Sequence, residues 1–372
     1  MATSATTVLV AGDVMTGRGI DQILAQPGDP RLFEPYLRSA RAYVDLAEQA
    51  SGPIARGVAP AYIWGDALAE IARMAPAARI INLETAVSAR GKPSPDKDIH
   101  YRMHPANVGC LRAAAIDCCV LANNHVLDWG YQALSDTLAT LGSADLRCAG
   151  AGESEREASE PAVIATASGQ RVLVFACATL GSGVPRDWAA AGSRAGVNLI
   201  EEPSKDAADL LAGKIGAQLR TGDLVVVSIH WGSNWGYQVT RQQRSFAHRL
   251  IDSGLVHLLH GHSSHHPRPI EIYRGCPILY GCGDLINDYE GIGGHESHRP
   301  ELALLYFPTF AQSSASLVEL RMVPLRLRRF RLERASRDDG RWLAETLSRE
   351  SSQFGVRVEQ ADEGDLLASR AG

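Results

Sequence analysis

The sequence predicts an α/β protein. Short apolar, β-branched runs alternate with amphipathic stretches of helical period through most of the chain, which is typical of a sheet whose strands are joined by helices. Several runs end in glycine or a polar residue, as buried strands do where they deliver side chains to a ligand site. The richest of these ends follows the apolar run 255–259, where Gly261, His262 and His265 lie close together.

The elements can be placed in order along the chain. Strands are expected at 7–11, 79–83, 116–121, 146–149, 224–229, 255–259 and 278–280, with a hairpin over 161–178. Helices are expected at 41–48, 66–74, 105–115, 131–141, 207–220 and 241–253. From 302 to 332 strand follows strand, and 342–353 is expected to be a closing helix. No break in composition divides residues 1–372, so one domain is expected, with the segment from about 302 to 372 packed on its core.

Composition excludes several classes of function. The chain has 372 residues, is 45% hydrophobic and carries a formal net charge of −5, which is ordinary for a globular protein. No basic stripe is present to neutralise phosphates, and the arginines of 326–334 alternate with apolar residues as on the solvated face of a strand. No signal peptide or membrane-spanning run is visible. We therefore expect a cytoplasmic protein without nucleic-acid or membrane partners, and the oligomeric state stays open.

The seven cysteines predict reduced thiols rather than a disulfide framework. Their number is odd, their spacing is irregular, and most of them lie inside apolar strands. Such thiols are typical of the core of a cytosolic protein.

Five segments carry polar side chains directly after apolar strands. They contain Asp13; Glu84; Asn124 and His125; His230; and His262 and His265. Each has a structural explanation when taken singly, because an acid or amide can cap a helix and a lone histidine is commonly satisfied inside a core. Together, at the shared edge of a sheet, they predict a metal site of mixed oxygen and nitrogen ligands. Oxygen ligands favour Mg²⁺, Ca²⁺ or Mn²⁺, whereas imidazoles favour zinc, iron or manganese.

These segments resemble, in order, the motifs of the CapA-type branch of calcineurin-like metallophosphoesterases. The matching stretches are 12–15, 82–85, 123–130, 230–232 and 261–265, within a resemblance that covers roughly 8–289. The resemblance implies a four-layer αββα sandwich with the site at its sheet edge. It also implies a set of metal-site residues: Asp13, Glu84, Asn124, His230, His262 and His265. His125 corresponds to the acid/base histidine of the family.

Two departures from the family pattern change the expected chemistry. Met15 stands where ordinary metallophosphoesterases have the histidine of Asp-x-His, and a thioether cannot replace imidazole for a hard ion. One divalent ion is therefore predicted rather than a two-metal centre. After the last core strand, Asp284 replaces an amide, and a glycine-rich loop follows that carries His295.

Extra acids and a histidine on loops indicate proton transfer. A base on one face, an acid on the other and a positive charge can invert a peptide Cα centre. The chain resembles the CapA-like, calcium-dependent epimerases of lasso-peptide biosynthesis, which invert the C-terminal tryptophan of a ribosomal precursor with two His/Asp pairs. This resemblance implies an isomerase with a precursor peptide as its partner, and Ca²⁺ is favoured over Mn²⁺, Mg²⁺ or Zn²⁺. The first expected pair is His295 with Asp13. The second is left open among four residues: His125, His230, Asp284 and Asp288.

Two arginines and four aromatic residues near these motifs are candidates for binding such a peptide. They are Arg18, Arg102, Trp129, Trp231, Trp235 and Tyr289. Arginine suits a terminal carboxylate and aromatic rings suit a pocket wall, although salt bridges and core packing are the plain alternatives. Two other functions stay open. One is a metal-dependent hydrolase of a phosphoester or γ-glutamyl amide, and the other is a non-catalytic assembly factor for a capsule polymer.

Overall fold

The computed structural model describes residues 5–95, 97–312 and 314–371. Its strands in these ranges are β1 Ala5–Val14, β2 Ala78–Leu83, β3 Ala86–Val87, β4 Arg102–Met103, β5 Cys118–Val120, β6 Arg147–Ala149, β7 Ala151–Gly152, β8 Ala162–Ala165, β9 Arg171–Thr179, β10 Gly196–Val197, β11 Leu199–Ile200, β12 Leu224–His230, β13 Leu258–His262, β14 Ile270–Tyr273, β15 Cys276–Leu279, β16 Asp284–Ile286, β17 Leu302–Ala311, β18 Leu317–Arg328, β19 Arg331–Arg334, β20 Val356–Gln360 and β21 Leu366–Arg370. The α-helices are α1 Arg18–Ile23, α2 Arg41–Ser51, α3 Ala67–Met74, α4 Gly109–Ala113, α5 Gly130–Ser143, α6 Glu155–Ser159, α7 Lys205–Gln218, α8 Arg241–Asp252 and α9 Arg337–Ser351.

Two large sheets organise these elements. The first has the order β20-β21-β18-β17-β1-β2-β5-β6, with β16 paired to β1 and β19 to β18. Its strands β1, β2, β5 and β6 run parallel, whereas β17 to β21 form the antiparallel half. The second has the order β11-β9-β12-β13-β15-β14, with β8 paired to β9. Strands β9, β12, β13 and β15 are parallel, so their carboxyl ends lie at one edge.

Alternating side chains of β9 show how the layers pack. Val172, Val174 and Ala176 belong to the hydrophobic core shared with the first sheet. Leu173 and Phe175, which point the other way, belong to a second core together with the buried faces of α7 and α8. Buried residues of α2 to α5 join the first core. The two sheets therefore face each other between outer helices, which confirms the α/β class and the αββα sandwich.

The observed elements differ from the predicted ones mainly at their ends. Of the apolar run 255–259, only Leu258 and Leu259 lie in β13, and this strand continues through Gly261 to His262. Helix α9 begins at Arg337, five residues earlier than predicted, because Ser336 and Asp339 form a capping box. The helix predicted over 105–115 divides into a 3₁₀ turn and α4. The hairpin of β20 and β21 was not predicted, and it extends the first sheet after the helix expected to close the chain.

The remaining composition-based expectations can be compared with the structure directly. All seven cysteines are free, and five of them are buried. In the arginine-rich segment, Arg326, Arg328 and Arg331 are exposed while Leu327 and Leu332 are buried, which confirms a solvated strand face. In the described ranges no helix is long and apolar enough to cross a membrane.

Candidate metal centre

The strand register brings acidic and histidine side chains to one place between the sheets. Asp13, near the end of β1, is aligned with Asp284 of β16 on one side and with Asn82 of β2 on the other. His230 at the end of β12 is aligned with His262 at the end of β13. Asp13 was expected in a loop, but β1 continues past it because β16 pairs alongside.

Two groups of buried side chains have the composition and spacing of metal ligands. Asp13, His230 and His262 each offer an atom within 4.8 Å of the others, and so do Asp13, His265 and Asp284. Both groups share Asp13. The structure thus offers donor sets for two cations, where the departure at Met15 had predicted one.

A chain of hydrogen bonds fixes the protonation of His262. His260 Nε2 lies 2.9 Å from the carbonyl oxygen of Ala11, which can only accept, so His260 carries its hydrogen on Nε2. Ser228 Oγ therefore donates to His260 Nδ1 over 3.0 Å and accepts from His262 Nε2 over 2.9 Å. Burial lowers the pKa of His262 well below its usual value, so the ring is neutral. Its Nδ1 consequently carries a bare lone pair.

The lone pair on His262 Nδ1 points toward His230 Nδ1, which also carries a bare lone pair. Burial lowers the pKa of His230 well below its usual value, so this ring is neutral as well. Its Nε2 donates to Asn124 Oδ1 over 3.1 Å, which leaves His230 Nδ1 without a hydrogen. The two Nδ1 atoms are 2.9 Å apart, and Asp13 Oδ1 lies 3.9 Å from His262 Nδ1. Two bare nitrogens this close repel each other unless a cation binds both. The donor set therefore fits a metal ion.

Three buried carboxylates, of Asp13, Glu84 and Asp284, add negative charge without a lysine or arginine partner among the described residues. Their ion-pair partners there are, at 3.9, 3.7 and 3.0 Å respectively, His262, His125 and His265. Burial raises the pKa of Asp13 to about 7, and the charge of Asp284 adds to the effect. Burial and the charge of Asp13 raise the pKa of Glu84 well above its usual value. Such a cluster holds protons unless a cation binds it and keeps the carboxylates ionised.

His265 is held differently from the other two histidines. Asn234 Nδ2 donates to its Nε2 over 3.2 Å, so its Nδ1 carries the hydrogen and donates to Asp284 over 3.0 Å. Burial lowers the pKa of His265, but the charge of Asp284, its hydrogen bond and the charge of Asp13 together raise the pKa overall. A cation that binds this second group must therefore displace the proton on His265 Nδ1. In the group with His230 and His262, both Nδ1 atoms already lack a hydrogen and can bind a cation directly.

His125 forms a separate pair beside the donor groups. Its Nδ1 donates to Asp128 over 2.6 Å, so its Nε2 lone pair points outward, 3.7 Å from Glu84. Burial and the nearby charge of Lys97 lower the pKa of His125 to about 4, despite the opposing charge of Asp128. The neutral ring can accept a proton at ordinary pH.

Sequence reasoning missed Lys97 and Asp128. Lys97 Nζ lies 2.5 Å from Asp128 and also donates to the carbonyl of Asn124. The three-residue spacing of His125 and Asp128 is a signal that could have identified the acid. Nothing in the local pattern around Lys97 identifies its role, since its contacts come from a loop that folds across the site.

A cavity of about 300 Å³ lies beside the second donor group. Five of the predicted site residues line it: Arg18, Trp235, His265, Tyr289 and His295. His265 forms part of the same wall, so the cavity connects the aromatic side chains with the metal centre. The loop carrying His295 lies over this cavity, and its imidazole stacks on Trp235 with ring centroids 3.7 Å apart.

Several predicted pairings do not form. Both carboxylate oxygens of Asp288 bind the buried guanidinium of Arg18, so Asp288 pairs with neither His125 nor His230. Arg18 also donates to Glu34, so all three of its nitrogens already bind acidic side chains and do not form a site for a substrate carboxylate. The structure does not pair His295 with Asp13 either: His295 is exposed.

The other predicted substrate residues lie elsewhere. Trp231 is in the core between the second sheet and α8, and its Nε1 donates to the carbonyl of Tyr280. Arg102 stacks on Trp129 at 3.5 Å, and both line a small depression apart from the donor groups. These three residues were expected from their closeness in sequence to the motifs, which does not report the direction of a side chain.

Ser228→Ala is expected to weaken divalent-cation binding about 10- to 100-fold. The change removes the acceptor that keeps the His262 hydrogen on Nε2, so the hydrogen can move to the ligating Nδ1. Isothermal titration with Mn²⁺ measures the effect. Ser233→Ala, an exposed serine three residues beyond His230, is the control and should bind as the wild type does. Equal affinities for the two variants would contradict the assigned hydrogen-bond chain.

Comparison with known proteins identifies relatives over most of the chain. The model of the family described as bacterial capsule synthesis protein PGA_cap matches residues 7–289. A probable polyglutamine synthesis accessory protein of Mycobacterium tuberculosis is 51% identical over 353 residues, covering 95% of this chain and 93% of that protein. The PGA biosynthesis protein CapA of Bacillus subtilis is 29% identical, covering 74% of this chain and 62% of that one.

A solved structure is also similar in outline. A novel phosphatase from Mycoplasma pneumoniae aligns with 87% of this chain and 94% of its own, with 13% identity and a TM-score of 0.47.

These relatives correct one prediction. The expected activity, a peptide isomerase, is wrong, because the relatives with high coverage are named accessory and capsule biosynthesis proteins. The extra acids that suggested two-base proton exchange have structural partners instead: Asp288 holds Arg18, and Asp284 belongs to a donor group.

Proposed function

This chain belongs to the bacterial capsule synthesis protein family PGA_cap, and we propose that it is an accessory protein in the synthesis of an amino-acid polymer of the polyglutamine or PGA type, acting through a divalent-cation centre around Asp13. The names of its relatives support the polymer class. The site geometry supports the cation.

One observation carries the proposal of a cation centre. Three buried carboxylates meet two bare imidazole nitrogens, and among the described residues no lysine or arginine lies within 4 Å of these carboxylates. A purely structural cluster would be expected to contain such a partner, as Asp288 does in Arg18. The imidazoles among the donors favour Mn²⁺ or Zn²⁺ over Ca²⁺.

The protein groups have distinct tasks under this proposal. A bound cation would supply positive charge that attracts and polarises a carbonyl, carboxylate or phosphoryl oxygen. Ser228 and Asn124 hold the ligating rings in the correct tautomer, and Asn82 orients Asp13 through a 2.7 Å hydrogen bond. The cavity lined by Tyr289 and Trp235 then receives the part of the polymer or precursor next to the centre.

A second candidate function is metal-assisted hydrolysis of a phosphoester or of an amide in the polymer. The specific observation in its favour is the His125–Asp128 pair, whose Nε2 carries a lone pair that can take a proton from an attacking water. Purified protein with Mn²⁺ would be assayed on a generic phosphodiester and on poly-γ-glutamate. If hydrolysis is the function, His125→Gln should abolish turnover and retain the metal.

Gene replacement in the organism that encodes the chain tests the accessory role. Deletion should reduce the amount of cell-associated polymer, the wild-type gene should restore it, and Asp13→Asn should not. Asp338→Asn, whose side chain is 86% exposed, removes the same charge far from the site and should restore synthesis. Unchanged polymer after deletion would overturn the proposal, and full restoration by Asp13→Asn would show that the cation centre is not needed.

A further inference from the structure

Arg268 is a buried arginine that has no acidic partner within the described residues. Its side chain is almost fully enclosed, with 2% of the residue exposed. Nη2 donates to the carbonyl of Gln238, but Nε and Nη1 have no acceptor among the residues that the structure describes. Burial lowers the pKa of the guanidinium to about 10, which leaves it charged at neutral pH. An enclosed positive charge thus lacks its counter-charge.

Gln243 contributes another unpartnered donor at the same place. Its Oε1 accepts from the backbone nitrogen and hydroxyl of Thr240 in the capping box of α8, at 3.0 and 3.2 Å. This arrangement turns Nε2 away from the helix end, and Nε2 has no acceptor in the described part of the chain. A Cβ on Gly232 would lie 2.8 Å from Arg268 Nη1 and 2.9 Å from Gln243 Nε2. Both donor atoms therefore lie next to the position that a side chain at residue 232 would occupy.

We propose that this place binds a monatomic anion, chloride under ordinary conditions, between the Arg268 guanidinium and the Gln243 amide. An anion supplies both the missing acceptor and the missing charge, whereas a water molecule would supply only the acceptor. Because Arg268 and Gln243 are 2% and 3% exposed, a small ion fits the site better than a ligand that must reach it from solvent.

The position of the site gives the anion a structural task. Gly232 begins the loop that leads to α8, and this loop carries Asn234. Asn234 contacts His265 twice, through its side-chain nitrogen at 3.2 Å and its backbone oxygen at 2.9 Å. An anion at Gly232 would anchor the start of the loop that orients His265. The site stands whether or not Asp13 binds a cation.

Gln243→Glu provides the test, because a glutamate keeps the capping box and brings its own negative charge to Arg268. In wild type, the melting temperature should be higher by about 2 °C in chloride than in gluconate at the same ionic strength. In Gln243→Glu this difference should vanish, and the melting temperature in gluconate should exceed that of the wild type. Gln242→Glu adds the same charge at an exposed neighbour and should keep the chloride response.

Crystals of the wild type soaked in bromide give a second readout that needs no variant. An anomalous peak in contact with Arg268 and Gln243 is expected. Absence of that peak, or a chloride response that is equal in the wild type and Gln243→Glu, would overturn the proposal. Ordered water would then be the acceptor for the Arg268 and Gln243 donors.

Discussion

Asp13→Asn is expected to remove divalent-cation binding from both donor groups at once. Asp13 is the one side chain that the two groups share. Asparagine at this position has nearly the same shape as aspartate but carries no negative charge. The dissociation constant for Mn²⁺ should rise by about 100-fold or more, equivalent to about 2.8 kcal/mol. Elemental analysis after dialysis should find two ions per chain in the wild type and none in the variant.

His262→Gln separates the two groups and serves as the matched comparison. It removes a ligand from the first group only, so the second group with His265 and Asp284 should keep its ion. Asp338→Asn should retain the full metal content. Retention of both ions by Asp13→Asn would contradict the shared-ligand arrangement.

Removal of the metal is expected to lower the melting temperature and to make it depend on pH. Without a cation, the carboxylate of Asp13 has a pKa of about 7 in the folded protein, compared with its ordinary value of 3.8. The folded state then holds a proton that the unfolded state has released, so the stability from this group is present at low pH and is lost as the pH rises toward 7. A shift of this size corresponds to about 4 kcal/mol. Glu84, whose pKa is raised as well, extends the loss to higher pH.

The measurement is a series of melting curves with EDTA and with Mn²⁺ between pH 6.5 and 8. Histidines of the unfolded chain have an ordinary pKa of about 6.5 and are half protonated at the low end of this window, so the effect of Asp13 is read as the difference between the wild type and Asp13→Asn, which share these histidines. The melting temperature in EDTA should fall by a few degrees across the window, whereas the curves with Mn²⁺ should stay level because the cation keeps the carboxylates ionised. In EDTA, Asp13→Asn should show a smaller fall. A level EDTA series in the wild type would show that the carboxylates are not the source of the instability.

Part of the placement of the predicted site residues follows from strand geometry. Parallel strands of one sheet end at a common edge, which places Asn82 beside Asp13 in the first sheet and His230 beside His262 in the second. The meeting of the two edges depends on how the sheets pack, which the strand pattern does not report. The motifs then identified the ligand types. The four-layer packing follows in the same way from strands that are apolar on both faces.

The partners of these residues depend on side-chain direction, which the pattern does not report. Trp231 and Trp235 are four residues apart, yet the first fills the core and the second borders the cavity. Asp288 was a candidate acid of the site, but in the structure its carboxylate accepts a hydrogen bond from Arg18. Ser228 and His260 carried no motif at all, although they set the tautomer of His262.

The hairpin of β20 and β21 escaped prediction for a different reason. β21 pairs with β18, which lies far from it in sequence, so the hairpin is stabilised by contacts that a local pattern does not contain. The alternation in its two strands is also short, five residues each, and the exposed face of β20 is polar.

Diffraction from crystals grown with Mn²⁺, recorded at the manganese absorption edge, tests the cation centre most directly. An anomalous peak is expected where Asp13, His230 and His262 converge, with contacts from both Nδ1 atoms, and a second one between Asp13, His265 and Asp284. A map without a peak at Asp13, or with His230 and His262 hydrogen-bonded to each other and no ion between them, would contradict the account.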